Sequence, residues 1–462
     1  MSLNRFVTAA SFALVIAGVS IAVPAGAQVK PGDVITPDNA AKVEGLVSPG
    51  NFILVRQGMV MKIVPTGNLE WPPPYKAATE RSSPQVTLGA NGDLNNYIAG
   101  LPFPLIDTND PQAAIKIMWN FAYRPLHTDD LDARDVEVVS RKAGSADEIE
   151  HFTFGHLGFY NSVGRTEVAP TPTDPDVFKS NISSRSGAYP VLEPAELRGE
   201  GIVRQRFDTP GVEDDAWEYS SASRKLRRLP AVSLSDTFGV SKTGASSSGS
   251  SFSAAMVNAG STTYASTWDP DSAFGFSAKI EDFTYRLLGE RPMLASVEAE
   301  NSPAQPCASD GGRTVCPENW EMRNLYVIEA TAKPSTVLAA SVVIPKRILY
   351  VDSEGWFVTA SDQYDRQGQL WKTLATFHAY RDRAVPNARV AIWPYKRMFE
   401  TALVDEDLTS GFSTVMYTPG HSGNGDSLFE NMGAVDRNFF TPANMVKASA
   451  FQKSRSKRLA GQ

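Results

Sequence analysis

Beyond residue 150 this chain is written mostly as short runs of aromatic and β-branched residues separated by turn sequences, the pattern of strands. Runs of this kind cover Glu150 to Tyr160, Ile202 to Phe207, Trp217 to Tyr219 and Lys225 to Leu229. They resume over Phe283 to Leu288, Leu325 to Thr331, Ile348 to Val351, Trp356 to Ala360 and Leu370 to Tyr380. Thr209-Pro210-Gly211 and Ser220-Ser221 break the first group, and Asp365-Arg366-Gln367-Gly368 has the composition of a hairpin turn with glycine at a positive φ. Short strands at near-even spacing predict an antiparallel meander. Helical spacing occurs at two places. Thr36 caps a short segment from Pro37 to Gly45, and Asp110 with Pro111 opens a helix whose Ile115, Met118, Phe121 and Ala122 share a face before Pro125 ends it.

The N-terminus has a different grammar. Arg5 precedes an apolar run from Phe12 to Val23, then Pro24 and Ala25-Gly26-Ala27, which predicts a signal peptide over residues 1–27, cleaved after Ala27. Residue 28 is Gln, not the Cys that a lipid anchor needs. The expectation is an exported protein in the periplasm. The whole sequence carries a charge of −7, which gives no electrostatic reason to expect a nucleic-acid partner. At 42% hydrophobic and 21% charged it is neither a disordered chain nor a polytopic membrane protein.

An oxidising compartment suits the two cysteines. Cys307 and Cys316 bracket a polar, Gly-rich stretch between Pro306 and Pro317, and a bridge there would stabilise by about 2.5–3 kcal/mol in the chain-entropy picture. Residues 28–442 are expected to form one domain, with a Gly/Ser-rich insertion near 243–267. Residues 443–462 carry Lys453, Arg455, Lys457 and Arg458 and read as a disordered basic tail, with transient contact to anionic lipid as one role for it.

Candidate chemistry is sparse. The five histidines are His127, His151, His156, His378 and His421, and none has metal-ligand spacing. His127 beside Asp129 and Asp130 reads as solvated, and His378 among Leu374, Phe377 and Tyr380 as a sheet residue. Gly420-His421-Ser422-Gly423-Asn424 fails as a nucleophile elbow because Asn424 stands where the second glycine belongs. Asp214 and Asp215 fall in an expected hairpin turn. No catalytic residue, cofactor or metal is assigned from the sequence. What stands out is aromatic: Trp217 and Tyr219 flank Glu218, so the pleat sends both rings to one face. Trp356 precedes Val358, and Trp371 lies across a turn from Tyr364.

Tyr97-Ile98-Ala99-Gly100-Leu101-Pro102-Phe103-Pro104, Met118-Trp119-Asn120, and Trp217-Glu218-Tyr219 with Arg227-Arg228-Leu229-Pro230 carry a resemblance. So do Tyr350-Val351-Asp352-Ser353-Glu354-Gly355-Trp356 and the stretch from Tyr364 to Trp371. From about Thr36 to Pro442 the chain resembles the Gram-negative envelope proteins grouped as domain of unknown function 1329. That family is similar to the carriers and receptors of the Lol lipoprotein-sorting system. The resemblance implies a mainly β, α+β fold, a strongly curved antiparallel half-barrel sheet closed by helices over an apolar cavity. It implies a lipid or other hydrophobic ligand and an envelope transporter as partners. On that expectation Met118, Phe121, Trp217, Tyr219, Trp356, Tyr364 and Trp371 line the ligand site. A hydrolase of envelope lipids using His378 or His421, and a structural envelope protein with a filled cavity, are the alternatives.

Overall fold

The structure is a computed structural model that describes residues 29–229, 275–333, 345–383, 393–421 and 435–459, apart from the single positions 126, 128, 146, 277 and 278; of 451–459 only the backbone is described. The expected signal peptide, the Gly/Ser-rich insertion and Ser422 to Asn424 lie outside these residues.

The strands in chain order are β1 (Val34–Ile35), β2 (Met61–Ile63), β3 (Thr87–Leu88), β4 (Leu94–Asn95), β5 (Asp130–Lys142) and β6 (Glu148–Asn161). They continue with β7 (Ile182–Glu193), β8 (Gly201–Phe207), β9 (Asp215–Ser220), β10 (Lys225–Leu229), β11 (Phe283–Ala295) and β12 (Glu318–Ala332). The last are β13 (Lys346–Asp352), β14 (Val358–Tyr364), β15 (Leu370–Arg381), β16 (Arg397–Asp407) and β17 (Phe412–Tyr417). Fifteen of them form one sheet in the order β1-β2-β12-β13-β14-β15-β16-β17-β5-β6-β7-β8-β9-β10, with β11 on β12. Every pairing in it is antiparallel except β2 with β12. The sheet is open, and β3 pairs only with β4. The predicted meander is therefore present, and the turn at Asp365 forms as expected, with Asp365 accepting from the Gln367 and Gln369 amides and Gly368 at φ 77°. Trp356 departs from expectation. It sits in the turn before β14 at φ 63°, outside the strand that holds Val358.

A sheet this wide has two faces to cover. On one, α1 (Pro49–Gln57) packs on β14 and β15, and its cluster joins Leu54 and Val55 to Phe377, Val404 and Val415. Its first turn docks on a buried carboxylate: Asp362 accepts from Ser48 Oγ at 3.2 Å and from the Gly50 amide at 3.2 Å, and Thr373 and Tyr350 donate to it as well. A Cβ at Gly50 would lie 2.0 Å from Thr373 Oγ1, so this close approach requires glycine. Farther along that face, the residues expected to form a disordered tail instead form a helix over Pro442–Leu459. The Thr441-Pro442 pair at its start is a cap followed by proline at the first position. Phe440 and Met445 are fully buried against Val203, Tyr189 and Tyr219 of β7 to β9.

The other face is covered by α3, Ala113–Ala122, with α2 (Pro73–Ser82) behind it. Ile117, Met118 and Phe121 of α3 pack with Phe276, Phe283, Ile328, Leu349 and Trp356. A separate cluster of Val138, Phe152, Phe154, Ala188, Ile202, Ala216 and Leu403 occupies the same face from β16 round to β9. The short helix α4 (Pro175–Phe178) lies between β6 and β7.

Burial holds the Asp362 carboxyl up at about 6, against the donors of the α1 terminus that pull it down. Asp362→Ala would leave those buried donors without an acceptor and should cost about 3 kcal/mol in urea unfolding followed by tryptophan fluorescence.

Candidate functional site

A cavity of about 310 Å³ opens where the C-terminal end of α3 overhangs β6, β7 and β8. Its floor is set by strand register. Phe159, Ser186 and Arg204 stand opposite one another across the three strands, and the next residue in that row, Ala216, belongs to the Val138–Leu403 cluster. The cavity and that cluster therefore share one face. Aromatic and aliphatic walls come from Tyr75, Trp119, Phe121, Phe207, Phe276 and Ile280. The lining also holds Arg124, Arg204, Arg206, Lys279, Asp129, Glu167, Asp208 and Glu281, so the wall is mixed where an apolar one was expected.

The rim is held by buried charge pairs. The Asp129 carboxylate accepts from the backbone amides of Thr166, Glu167 and Val168 at 2.8, 2.8 and 2.7 Å, which fixes the loop after β6. Arg165 and Asp130 form a bidentate pair at 2.6 and 3.0 Å with almost no exposure, and burial raises Asp130 to about 6. Arg397 of β16 donates to the His127 carbonyl at 2.7 Å and pairs with Glu167 at 2.9 Å. His127, read from the sequence as solvated, is 2% exposed with φ 59° and has its amide on the Met398 carbonyl. Asp214, expected in a turn, is buried and is approached by Arg206, Lys279 and Arg204 at 3.0, 3.4 and 3.9 Å.

Behind the Arg124 and His127 segment lies a buried ionisable group. His378 Nε2 is 4.0 Å from Glu400, each 1% exposed, at the β15–β16 bulge. Burial pushes Glu400 up to about 8, with Arg124 partly opposing it, and pulls His378 down to about 3, with Arg124 adding to the fall. Burial thus favours the neutral form of both. His421 is committed on both ring nitrogens, to Glu137 at 2.9 Å and to the Ala304 carbonyl at 2.9 Å. Among the described residues no group of three or more His, Cys, Asp or Glu could hold a metal ion, and no helix is long and apolar enough to cross a membrane.

Across residues 34–446 the sequence matches the family described as protein of unknown function (DUF1329). The chain belongs to that family. Solved structures that resemble it include the following three. A crystal structure from Vibrio parahaemolyticus, described as an outer membrane lipoprotein-sorting protein domain, is 14% identical at a TM-score of 0.42 and covers 73% of this chain and 100% of its own. A DUF1329 family protein from Desulfovibrio piger is 14% identical at 0.39, covering 69% of this chain and 92% of its own. A LolA superfamily protein from Nitrosomonas europaea is 16% identical at 0.31, covering 63% and 84%. No curated protein matches the chain.

The seven residues expected to line a ligand site are spread over the sheet. Phe121 alone among them lines the cavity; Met118 and Trp356 pack beside it in the core under α3. Trp217 and Tyr219 do share a face, but it is the opposite one, packed with Val203 and Phe440 near the C-terminal helix. Tyr364 packs with Tyr350 and Ala360 in another cluster, and the Trp371 indole donates to Asp407 at 3.1 Å. Of the cavity residues missed from sequence, Phe159, Arg204 and Arg206 lie in strand runs that were legible, whereas Arg124 and Ile280 lie outside them. Cys307 and Cys316 form the expected disulfide.

Glu400 holds its proton in the folded chain up to about pH 8 but loses it near 4.5 when unfolded, so its burial costs stability as pH rises through that window. Glu400→Gln should therefore be more stable than the native chain by on the order of 2 kcal/mol at pH 7, with the difference vanishing toward about pH 4.5. Thermal unfolding at a series of pH values checks this.

Proposed function

We propose that this chain is an exported, periplasmic carrier or accessory protein that holds a lipid or other hydrophobic molecule on one face of its sheet and cooperates with an envelope transporter, without covalent chemistry. The observation that carries this reading is the cavity under α3, with an aromatic wall of Phe121, Phe159, Phe207 and Phe276 beside polar groups at its rim. An acyl chain displacing water from that wall gains about 0.8 kcal/mol for each buried methylene, which supplies the driving force for a guest there. The disulfide supports passage through an oxidising compartment, and the pattern of residues 1–27 supports export with cleavage after Ala27.

Native mass spectrometry and solvent extraction of the exported protein should find a bound apolar molecule, and a fluorescent fatty-acyl probe should bind the emptied chain. Phe159→Lys, which places a charge on the cavity floor, should weaken probe binding at least about tenfold. Trp217→Ala, on the opposite face, should leave it within about twofold. Equal effects of the two changes, or no bound molecule and no probe binding, would defeat the carrier reading.

A further inference from the structure

Four cations line the cavity, and three of them, Arg204, Arg206 and Lys279, converge on Asp214. Of the lining carboxylates, Asp129 is engaged by three backbone amides and Glu167 by Arg397. Asp208 is raised chiefly by burial, then by Glu281, with Lys279 opposing, which places both acids on the Lys279 side. Arg124 is different. Its guanidinium lies 4.1 Å from the Phe121 ring centroid and its Nη1 donates to the Phe121 carbonyl at 2.7 Å. Its Nε is buried with no acceptor, and among the described residues it has no ion-pair partner. A half-buried guanidinium with one hydrogen bond to a neutral carbonyl, facing a cavity with an aromatic wall, is an incomplete site.

We propose that the ligand is a single-chain amphiphile with a carboxylate head, its head on Arg124 and its chain along Phe121, Phe159, Phe276 and Ile280. This rests on the carrier reading and narrows it to a ligand class. The volume agrees, because about 310 Å³ is at the small end of ligand sites and takes one acyl chain, not a diacyl lipid. An uncharged head would leave the guanidinium desolvated and unpaired, so the site selects against it. The acid behind Arg124 does not compete at neutral pH. Glu400, facing Arg124 from β16 and His378 from β15, is protonated below about 8. His378, held down at about 3, and His127, held well below its usual value by burial with Arg124, His378 and Arg397 around it, stay uncharged. Glu400 and Arg124 attract one another electrostatically, so a Glu400 carboxylate formed above about pH 8 would compete with the ligand head for Arg124.

The test is calorimetric titration of the exported full-length chain with sodium dodecanoate and with dodecan-1-ol. At about pH 7 dodecanoate should bind at least about tenfold tighter than the alcohol, the worth of one charge-assisted pair. In Arg124→Gln that ratio should fall to about one. Raising the pH to about 9 should weaken dodecanoate binding at least about threefold in the native chain and leave it unchanged in Glu400→Gln. Equal binding of acid and alcohol by the native chain, a ratio kept by folded Arg124→Gln, or a flat pH profile in the native chain would each overturn the head-group assignment while leaving the carrier reading standing. Binding of neither compound would overturn both. Should Arg124→Gln not fold, the pH profiles of the native chain and Glu400→Gln decide the matter.

Discussion

An open sheet of fifteen strands buries its apolar residues only if something else covers both faces, and the distribution of cover decides where a guest can enter. On one face the cover is thorough: α1 lies over β14 and β15, and the C-terminal helix lies over β7 to β9. On the other face the main cover is α3, ten residues long, which fills the space over β11 to β14 and stops short of β6 to β8. The cavity is the space beyond its end. Its position follows from the length of one helix, not from a special set of residues.

What surrounds that space is rigid by charge. Pairs such as Arg165–Asp130 and Arg397–Glu167 cost desolvation and return it only while geometry is held, so they fasten the loops at the rim more than they add net stability. The Asp129 carboxylate does the same with backbone amides. Against this fixed rim the uncompensated groups, Arg124 and the neutral His378 and Glu400 behind it, stand out as the part of the molecule where polarity is spent without local return.

The meander and the family were legible in the sequence because strand runs and turn residues are local signals. Besides β1 to β4, which are only two or three residues long, four strands were missed for physical reasons. β16 is buried along its whole length, including Glu400, Asp405 and Glu406, so it shows no alternation of polar and apolar positions. β7 carries Ser183, Ser184, Gly187 and Pro190, which read as loop, while β5 is rich in polar residues that the sheet buries and β17 is only six residues long. The pairing of Trp217 with Tyr219 on one face was readable from the pleat, but which face was not, since that depends on the C-terminal helix more than 220 residues away. The cavity was illegible for the same reason: its walls come from segments between Tyr75 and Glu281 that only the folded sheet brings together.

The loop closed by Cys307 and Cys316 reaches well past its own tip. Ser309 donates to the Gly58 carbonyl at the end of α1, and Arg313 to Gln57, while Arg141 of β5 donates to the Gly312 carbonyl and Ser413 of β17 to that of Arg313. Arg313 also pairs with Glu406 of β16. One small ring thus acts as a rivet through the N-terminal helix and three central strands. Closing the ring therefore fixes the groups on which the end of α1 and those three strands are hung.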